Sequence, residues 1–211
     1  MIPRFPVYLF DVDGTLLDSA TDICGAVREA LATTEAPPVT DAYLQSFIGH
    51  HLDDLFSEVL PHWTQEQYRE LLQTYRRIYL NRGHRSTRIY DGVPAMLESL
   101  GGRKSTATTK SSETARNILA QFGLVRFFDH VQGTDGFPAK PEPDVIYRSL
   151  EALGVRAEDC LLVGDSAPDM EAGRRAGVKT CAVTYGYGDV DAMRKRQPDF
   201  WISSPVELLP A

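Results

Sequence analysis

The chain has 211 residues, 43% hydrophobic and 24% charged, the balance of a globular protein with one sizeable core and room for a small insert. Its 29 acids against 22 lysines and arginines leave a formal charge of −7, which disfavours a reader of nucleic-acid backbones because that task needs a basic face. Cys24, Cys160 and Cys181 are odd in number and far apart, so neither a disulfide framework nor a structural zinc site is expected.

Met1 to Phe10 carries one arginine and a short apolar run. It lacks the long apolar stretch of a signal peptide or a membrane span, so a soluble, cytoplasmic protein without a membrane partner is expected. Val7-Tyr8-Leu9-Phe10 reads as a short, fully apolar strand, and Asp11-Val12-Asp13-Gly14-Thr15-Leu16 follows it directly. Residues i and i+2 of an extended chain point to the same side, so Asp11 and Asp13 can reach one crevice at the carboxyl end of that strand. Ligands of open α/β sheets bind at that end. Two acids so placed invite a metal ion and suit a nucleophile working beside an acid/base.

Three helical stripes come next. Ile23, Val27, Ala30 and Leu31 share a face, with Ser19 and Asp22 as the expected cap. Leu52, Leu55, Phe56, Val59 and Leu60 form a second stripe, preceded by Tyr43, Leu44, Phe47 and Ile48. Tyr68, Leu71, Leu72, Tyr75, Ile78 and Tyr79 form a third. Nothing strand-like interrupts them, so residues 19–84 read as a helical bundle.

From Ile89 the pattern alternates. Helical faces appear at Val93–Leu100, Ala115–Phe122 and Ile146–Leu153, and apolar strands at Cys160–Val163, Thr180–Val183 and Phe200–Ile202. Helices followed by strands imply parallel pairing with right-handed crossovers. A last helix is expected from Ser204-Pro205, with Glu207 as its capping acid. The expected fold is α/β: a doubly wound parallel sheet, Rossmann-like, from residues 1–18 and 85–211, with residues 19–84 inserted as a helical cap.

Four motifs in chain order resemble those of the haloacid dehalogenase superfamily. They are Asp11 to Leu16, then Ala107-Thr108-Thr109-Lys110, then Ala139-Lys140-Pro141-Glu142-Pro143-Asp144, then Leu161-Leu162-Val163-Gly164-Asp165-Ser166-Ala167-Pro168-Asp169. The resemblance spans essentially the whole chain. It implies a Mg²⁺-dependent phosphatase acting on a small phosphorylated metabolite, as a monomer or small homo-oligomer. Asp11 would be the nucleophile of an aspartyl-phosphate, and Asp13 would serve as acid and then base. The metal would sit on Asp11, the Asp13 carbonyl and Asp165, with Asp169 beside them; Asp169 also stands where it could complete a capping box with Ser166. Lys140 and the Thr108 hydroxyl would meet the phosphoryl group. Thr108 is preferred to Thr109 because it aligns with the usual Thr-x-Lys pattern, and Lys110 itself reads as facing solvent. Gly49 and His50, at a helix opening in the cap, are candidate substrate contacts.

Within the superfamily the phosphoglycolate phosphatases look most similar, on Gly164-Asp165-Ser166, Tyr90-Asp91-Gly92-Val93 and Thr184-Tyr185-Gly186-Tyr187-Gly188. A phosphotransferase resembling β-phosphoglucomutase is the alternative, although that branch usually carries an acid where this chain has Gly164. A catalytically inactive binding module is a second alternative, opposed by the intact Asp11, Asp13, Lys140 and Asp165. One departure stands out: the strand before Thr108 reads Lys104-Ser105-Thr106, where the family pattern is apolar, and buried hydroxyls need partners.

Overall fold

The apolar run Val7–Phe10 forms strand β1, and all four of its side chains are buried. In the computed structural model, which describes residues 2–209, this follows from helices covering both faces of the sheet. Tyr8 and Phe10 join one core with Leu161, Val163, Cys181 and Val183, while Val7 and Leu9 join another with Cys160 and Leu162. Side chains alternate across a strand, so a strand covered on both faces must be apolar throughout.

After β1 come a two-residue strand β2 (Leu17–Asp18), helices α1 (Ala20–Leu31), α2 (Asp41–Ser46), α3 (Leu52–Val59) and α4 (Gln65–Arg82), and a two-residue strand β3 (Arg88–Ile89). The chain continues through α5 (Val93–Ser99), β4 (Arg103–Thr106), α6 (Ser112–Gln121), α7 (Asp144–Leu153) and β5 (Cys160–Gly164). It ends with α8 (Ala167–Ala176), β6 (Lys179–Val183), α9 (Val190–Arg194) and β7 (Phe200–Ile202). Among the described residues no helix is long and apolar enough to cross a membrane.

The main sheet is parallel, in the order β4-β1-β5-β6-β7. The chain steps from β1 to β4 on one side and then crosses to β5 on the other, so strand order reverses beside β1. Such a reversal opens a crevice beyond the carboxyl ends of the strands. Phe10 lies beside both Thr106 and Val163, which brings Asp11 level with Ala107 and Gly164. The register thus sets three loops around one point.

Helices α1–α4 pack around their own core, with Leu55, Phe56 and Leu71 at its centre. Thr64 and Gln67 open α4 with a capping box, and Gly83 closes it in the left-handed conformation. The insert leaves and rejoins the sheet domain where β2 and β3 pair antiparallel, Leu17 with Ile89 and Asp18 with Arg88.

Two local expectations are corrected and one departure is explained. Ser19 precedes α1 but its hydroxyl makes no cap; it donates to Asp13 Oδ1 at 2.5 Å, while Asp22 accepts from the Ser86 amide and the Thr87 hydroxyl. The segment after Ser204 is a 3₁₀ turn, Pro205–Leu208, and Glu207 accepts from the amide and hydroxyl of Ser203 rather than closing a helical cap on Ser204. The polar strand β4 occupies the sheet edge, where its side chains find specific partners. Thr106 Oγ1 donates to the Gln132 carbonyl and accepts from the Gln132 amide, both at 2.8 Å. The Lys104 ammonium folds back onto the Leu100 carbonyl at 2.6 Å. Residues 130–132 run alongside β4 and supply what an apolar neighbour could not.

Candidate active site

Each strand around the reversal delivers a candidate site residue just past its end. From β1 come Asp11 and Asp13, from β4 Thr108 and Lys110, and from β5 Asp165, followed by Asp169 in the first turn of α8. Lys140 arrives from the loop before α7. All except Thr109, Gly49 and His50 among the expected site residues are buried.

Lys140 anchors the centre. Its ammonium lies 2.9 Å from Asp11 Oδ1, 2.5 Å from Asp169 Oδ1 and 2.8 Å from the Ala107 carbonyl, which uses its three N–H donors. Burial alone would lower its pKa, but Asp11 and Asp169 outweigh that and hold it above the ordinary lysine value. The other oxygen of Asp169 accepts from the Ser166 amide at 3.0 Å and its hydroxyl at 2.5 Å, so the capping box forms and orients a site carboxylate at the same time.

Asp11, Asp165 and Asp169 are all buried and offer carboxylate oxygens within 4.8 Å of one another. Burial pushes the Asp11 carboxyl up to about 7 despite Lys140. Burial, then repulsion from Asp11 and Asp169, holds Asp165 well above the usual carboxylate range. Three carboxylates against one ammonium leave the cluster short of positive charge, and its donors are all oxygen. That set fits a hard divalent cation such as Mg²⁺. Asp165 is held closely from two sides: a Cβ on Gly14 would stand 2.1 Å from its Oδ2, and one on Gly186 would stand 2.4 Å from its Cβ. It also accepts from the Tyr187 amide at 2.8 Å and the Thr15 hydroxyl at 3.3 Å.

Asp13 sits apart from that cluster. Its carboxylate accepts from Ser19 Oγ and pairs with Lys110 Nζ at 2.9 Å. Lys110 is the clearest residue that sequence reading misplaced: its side chain is 9% exposed, not solvent-facing, and lies over the Tyr79 ring at 4.6 Å. Burial works against its charge, but Asp13 and the two tyrosines Tyr79 and Tyr75 keep its pKa well above the ordinary value. The signal was present in the spacing, because Thr108 and Lys110 stand two apart in extended chain and share a side. Thr108 Oγ1 accepts from the Lys110 amide at 3.3 Å, which fixes that turn.

In the sequence Tyr187 is legible only as part of the Thr184–Gly188 motif. Its hydroxyl accepts from the Ser19 and Ala20 amides at 2.6 and 3.0 Å and donates to Asp18 Oδ1 at 2.6 Å. It therefore caps α1 from the sheet domain, which explains why Ser19 is released to Asp13.

Above Asp13 and Lys110 a cavity of about 420 Å³ opens between the helical insert and the sheet domain. Gly49, His50, Thr109, Tyr75, Arg76 and Tyr79 are among its walls. Gly49 has φ +92°, and a Cβ there would stand 3.1 Å from the Ser166 Cβ, so the insert approaches the catalytic loops closely at this point. His51, next to it, is the N-cap of α3, its Nδ1 accepting from the Asp53 amide at 3.3 Å.

The arrangement can attack an electrophile with one carboxylate, move a proton with another, and hold an anion between buried cations. Comparison with known proteins agrees with that chemistry. The family model described as haloacid dehalogenase-like hydrolase matches residues 8–183. A phosphoglycolate phosphatase of Aquifex aeolicus is 35% identical over 207 residues, covering 96% of this chain and 94% of that protein. A 5′-nucleotidase of Pseudomonas aeruginosa is also 35% identical, over 210 residues, covering 97% and 94%. Among solved structures, a haloacid dehalogenase-like family hydrolase from Streptococcus pneumoniae superposes with a TM-score of 0.87 at 27% identity, covering 97% of this chain and 96% of that one.

Proposed function

The chain belongs to the haloacid dehalogenase-like hydrolases, and on that premise we propose that it hydrolyses a small phosphomonoester, with phosphoglycolate as the first candidate, through an aspartyl-phosphate on Asp11. The observation that carries this reading is the pairing of the two acids after β1, each with a buried ammonium of its own: Asp11 with Lys140 and Asp13 with Lys110, both at 2.9 Å. Equal identity to a phosphoglycolate phosphatase and a 5′-nucleotidase fits one chemistry with different leaving groups.

The roles follow from these environments. Asp11 attacks phosphorus and the leaving oxygen departs toward Asp13, which supplies its proton. Asp13 then takes a proton from the water that opens the acyl phosphate. Lys110 and Ser19 hold the Asp13 carboxylate in place, and Lys140, fixed by Asp169 and the Ala107 carbonyl, offers positive charge to the phosphoryl oxygens. Thr108 would donate to the same oxygens. Asp11, Asp165 and the Asp13 carbonyl would hold Mg²⁺, which when bound neutralises the phosphate dianion as it meets a carboxylate. Asp169 is better suited to positioning, since one of its oxygens serves the α8 cap and the other serves Lys140.

A mutase reading has less support here. A Cβ on Gly164 would stand 2.5 Å from Asp169 Cγ, so this arrangement has no room for an acid at that position. The deciding experiment is rapid-quench labelling with a ³²P-labelled phosphomonoester. Wild type should show transient protein-bound phosphate that is lost on mild base, and Asp11→Asn should show none, with turnover reduced by roughly 10⁴-fold or more. Turnover within tenfold of wild type in Asp11→Asn would sink the assignment.

A further inference from the structure

Helix α4 contributes Leu72, Tyr75, Arg76 and Tyr79 to the cavity, at i, i+3, i+4 and i+7, which is one face of one helix. Three of these are what a packed helix face should carry. Arg76 is not. Of the insert's other arginines, Arg28 pairs with Asp41, Arg69 with Glu66, and Arg82 with Asp22 and Glu29; Arg77 also has no carboxylate partner among the described residues, but it does not line the cavity. Arg76 is exposed on the cavity wall with no carboxylate partner among the described residues.

A second, independent observation lies one turn further along. Tyr79 is 2% exposed, yet its O–H has no acceptor among the described residues. Leaving a buried hydroxyl unpaired costs about 1–3 kcal/mol, so the position calls for an acceptor from outside the chain. Lys110 stands over the same ring. From Asp13 outward, then, the cavity offers hydrogen-bond donors: Lys110 from the loop after β4 and Tyr79 from α4 at the buried end, and Arg76 from α4 at the exposed end. A neutral polyol would need acceptors in return for its own hydroxyls, whereas a carboxylate only accepts.

We propose that Arg76 and Tyr79 form a subsite for a carboxylate on the leaving alcohol, which makes the preferred substrate a phosphorylated hydroxy acid. The proposal rests on the phosphatase reading above for its chemistry but on different residues for its evidence. Arg76 is a specificity residue, and His50 lines the same cavity. Glu113, an exposed acid on α6, lines it from the sheet domain and is the alternative partner for Arg76.

The test compares phosphoglycolate with p-nitrophenyl phosphate, whose leaving group has no carboxylate. Arg76→Gln should lower the ratio of kcat/KM for the first over the second by about tenfold or more, mainly through KM, and Tyr79→Phe by about fivefold. Calorimetry in an Asp11→Asn background with Mg²⁺ gives a readout that does not need turnover: phosphoglycolate affinity should fall by a similar factor when Arg76→Gln is added. If wild type hydrolyses neither ester yet the Arg76-dependent binding remains, the phosphatase reading fails and this one stands. An unchanged ratio together with unchanged affinity overturns it. So does Glu113→Gln reproducing the effect of Arg76→Gln on both substrates, because the two residues would then clasp the insert to the sheet domain.

Discussion

Lys140 and Arg76 are both cations beside one crevice, and they are held by opposite rules. Lys140 is buried, with every donor spent on Asp11, Asp169 and a carbonyl. Arg76 lines an open cavity and makes no carboxylate pair among the described residues. The floor of the site is built from the sheet domain, where strand register and closely approached glycines position the side chains. The wall comes from the inserted helices, where Arg76 is exposed and makes no hydrogen bond or ion pair with the floor residues. A scaffold divided in this way can keep phosphoryl chemistry constant while leaving groups vary, and the two activities named among equally similar relatives fit that division.

The comparison can be broken most sharply at Lys140. Lys140→Met leaves buried carboxylates without their cation, so urea unfolding should show a loss of about 3–5 kcal/mol, with part of it restored by Mg²⁺. Arg76→Gln, in contrast, should stay within about 0.5 kcal/mol of wild type, as an exposed residue does. If both variants lose the same amount, floor and wall are not distinct.

Asp13 tests where the floor ends. Asp13→Asn keeps an acceptor for Ser19 and Lys110 but cannot move a proton, so turnover should fall by about 10²–10⁴-fold. An aryl phosphate needs little protonation in the first step, so rapid quench should show a burst of protein-bound phosphate followed by slow release. Two equally slow steps would argue against assigning the acid/base role to Asp13 alone.

Metal binding gives a smaller effect that needs no substrate. Mg²⁺ at a hundredfold excess over its dissociation constant should stabilise wild type by about 2.7 kcal/mol. Thermal melts should show that gain, and Asp165→Asn should largely remove it. An equal rise in the melting temperature of Asp165→Asn would move the ion elsewhere.

The smallest effect lies away from the site. Hydrogen bonds from Arg174, with Arg175 beside it, hold the Glu171 carboxyl at about 2, below its ordinary value of 4.5. A folded-state pKa below the unfolded one means that this contribution is full above the ordinary value and is lost as pH falls toward 2. Glu171→Gln should therefore cost less than about 1 kcal/mol at neutral pH, because both arginines are solvent-exposed. The difference from wild type should vanish in urea melts near the folded-state pKa. A difference that persists there would point to packing rather than charge.

Much of this was legible in the residues. The apolar run Val7–Phe10 implied a strand with both faces covered, and helices alternating with strands after Ile89 implied a parallel sheet, because local periodicity reports which faces a segment buries. The order of four motifs was legible for the same reason: each lies at the end of an element, within a few residues of sequence. What could not be read locally was partnership across the fold. Ser19 looked like a helix cap because its neighbours suit one, yet Tyr187, 168 residues away, takes that place and frees the hydroxyl for Asp13. Lys110 looked like a solvated lysine because nothing near it in sequence says that Tyr75 and Tyr79 will cover it. The polar strand at Lys104–Thr106 conflicted with an apolar pattern until the fold put it at a sheet edge beside Gln132. Propensity and periodicity act over a few residues, so they determine elements and where those elements end. Which buried charge meets which, and which donors are left facing a cavity, depends on contacts between distant segments, and only the assembled tertiary structure decides them.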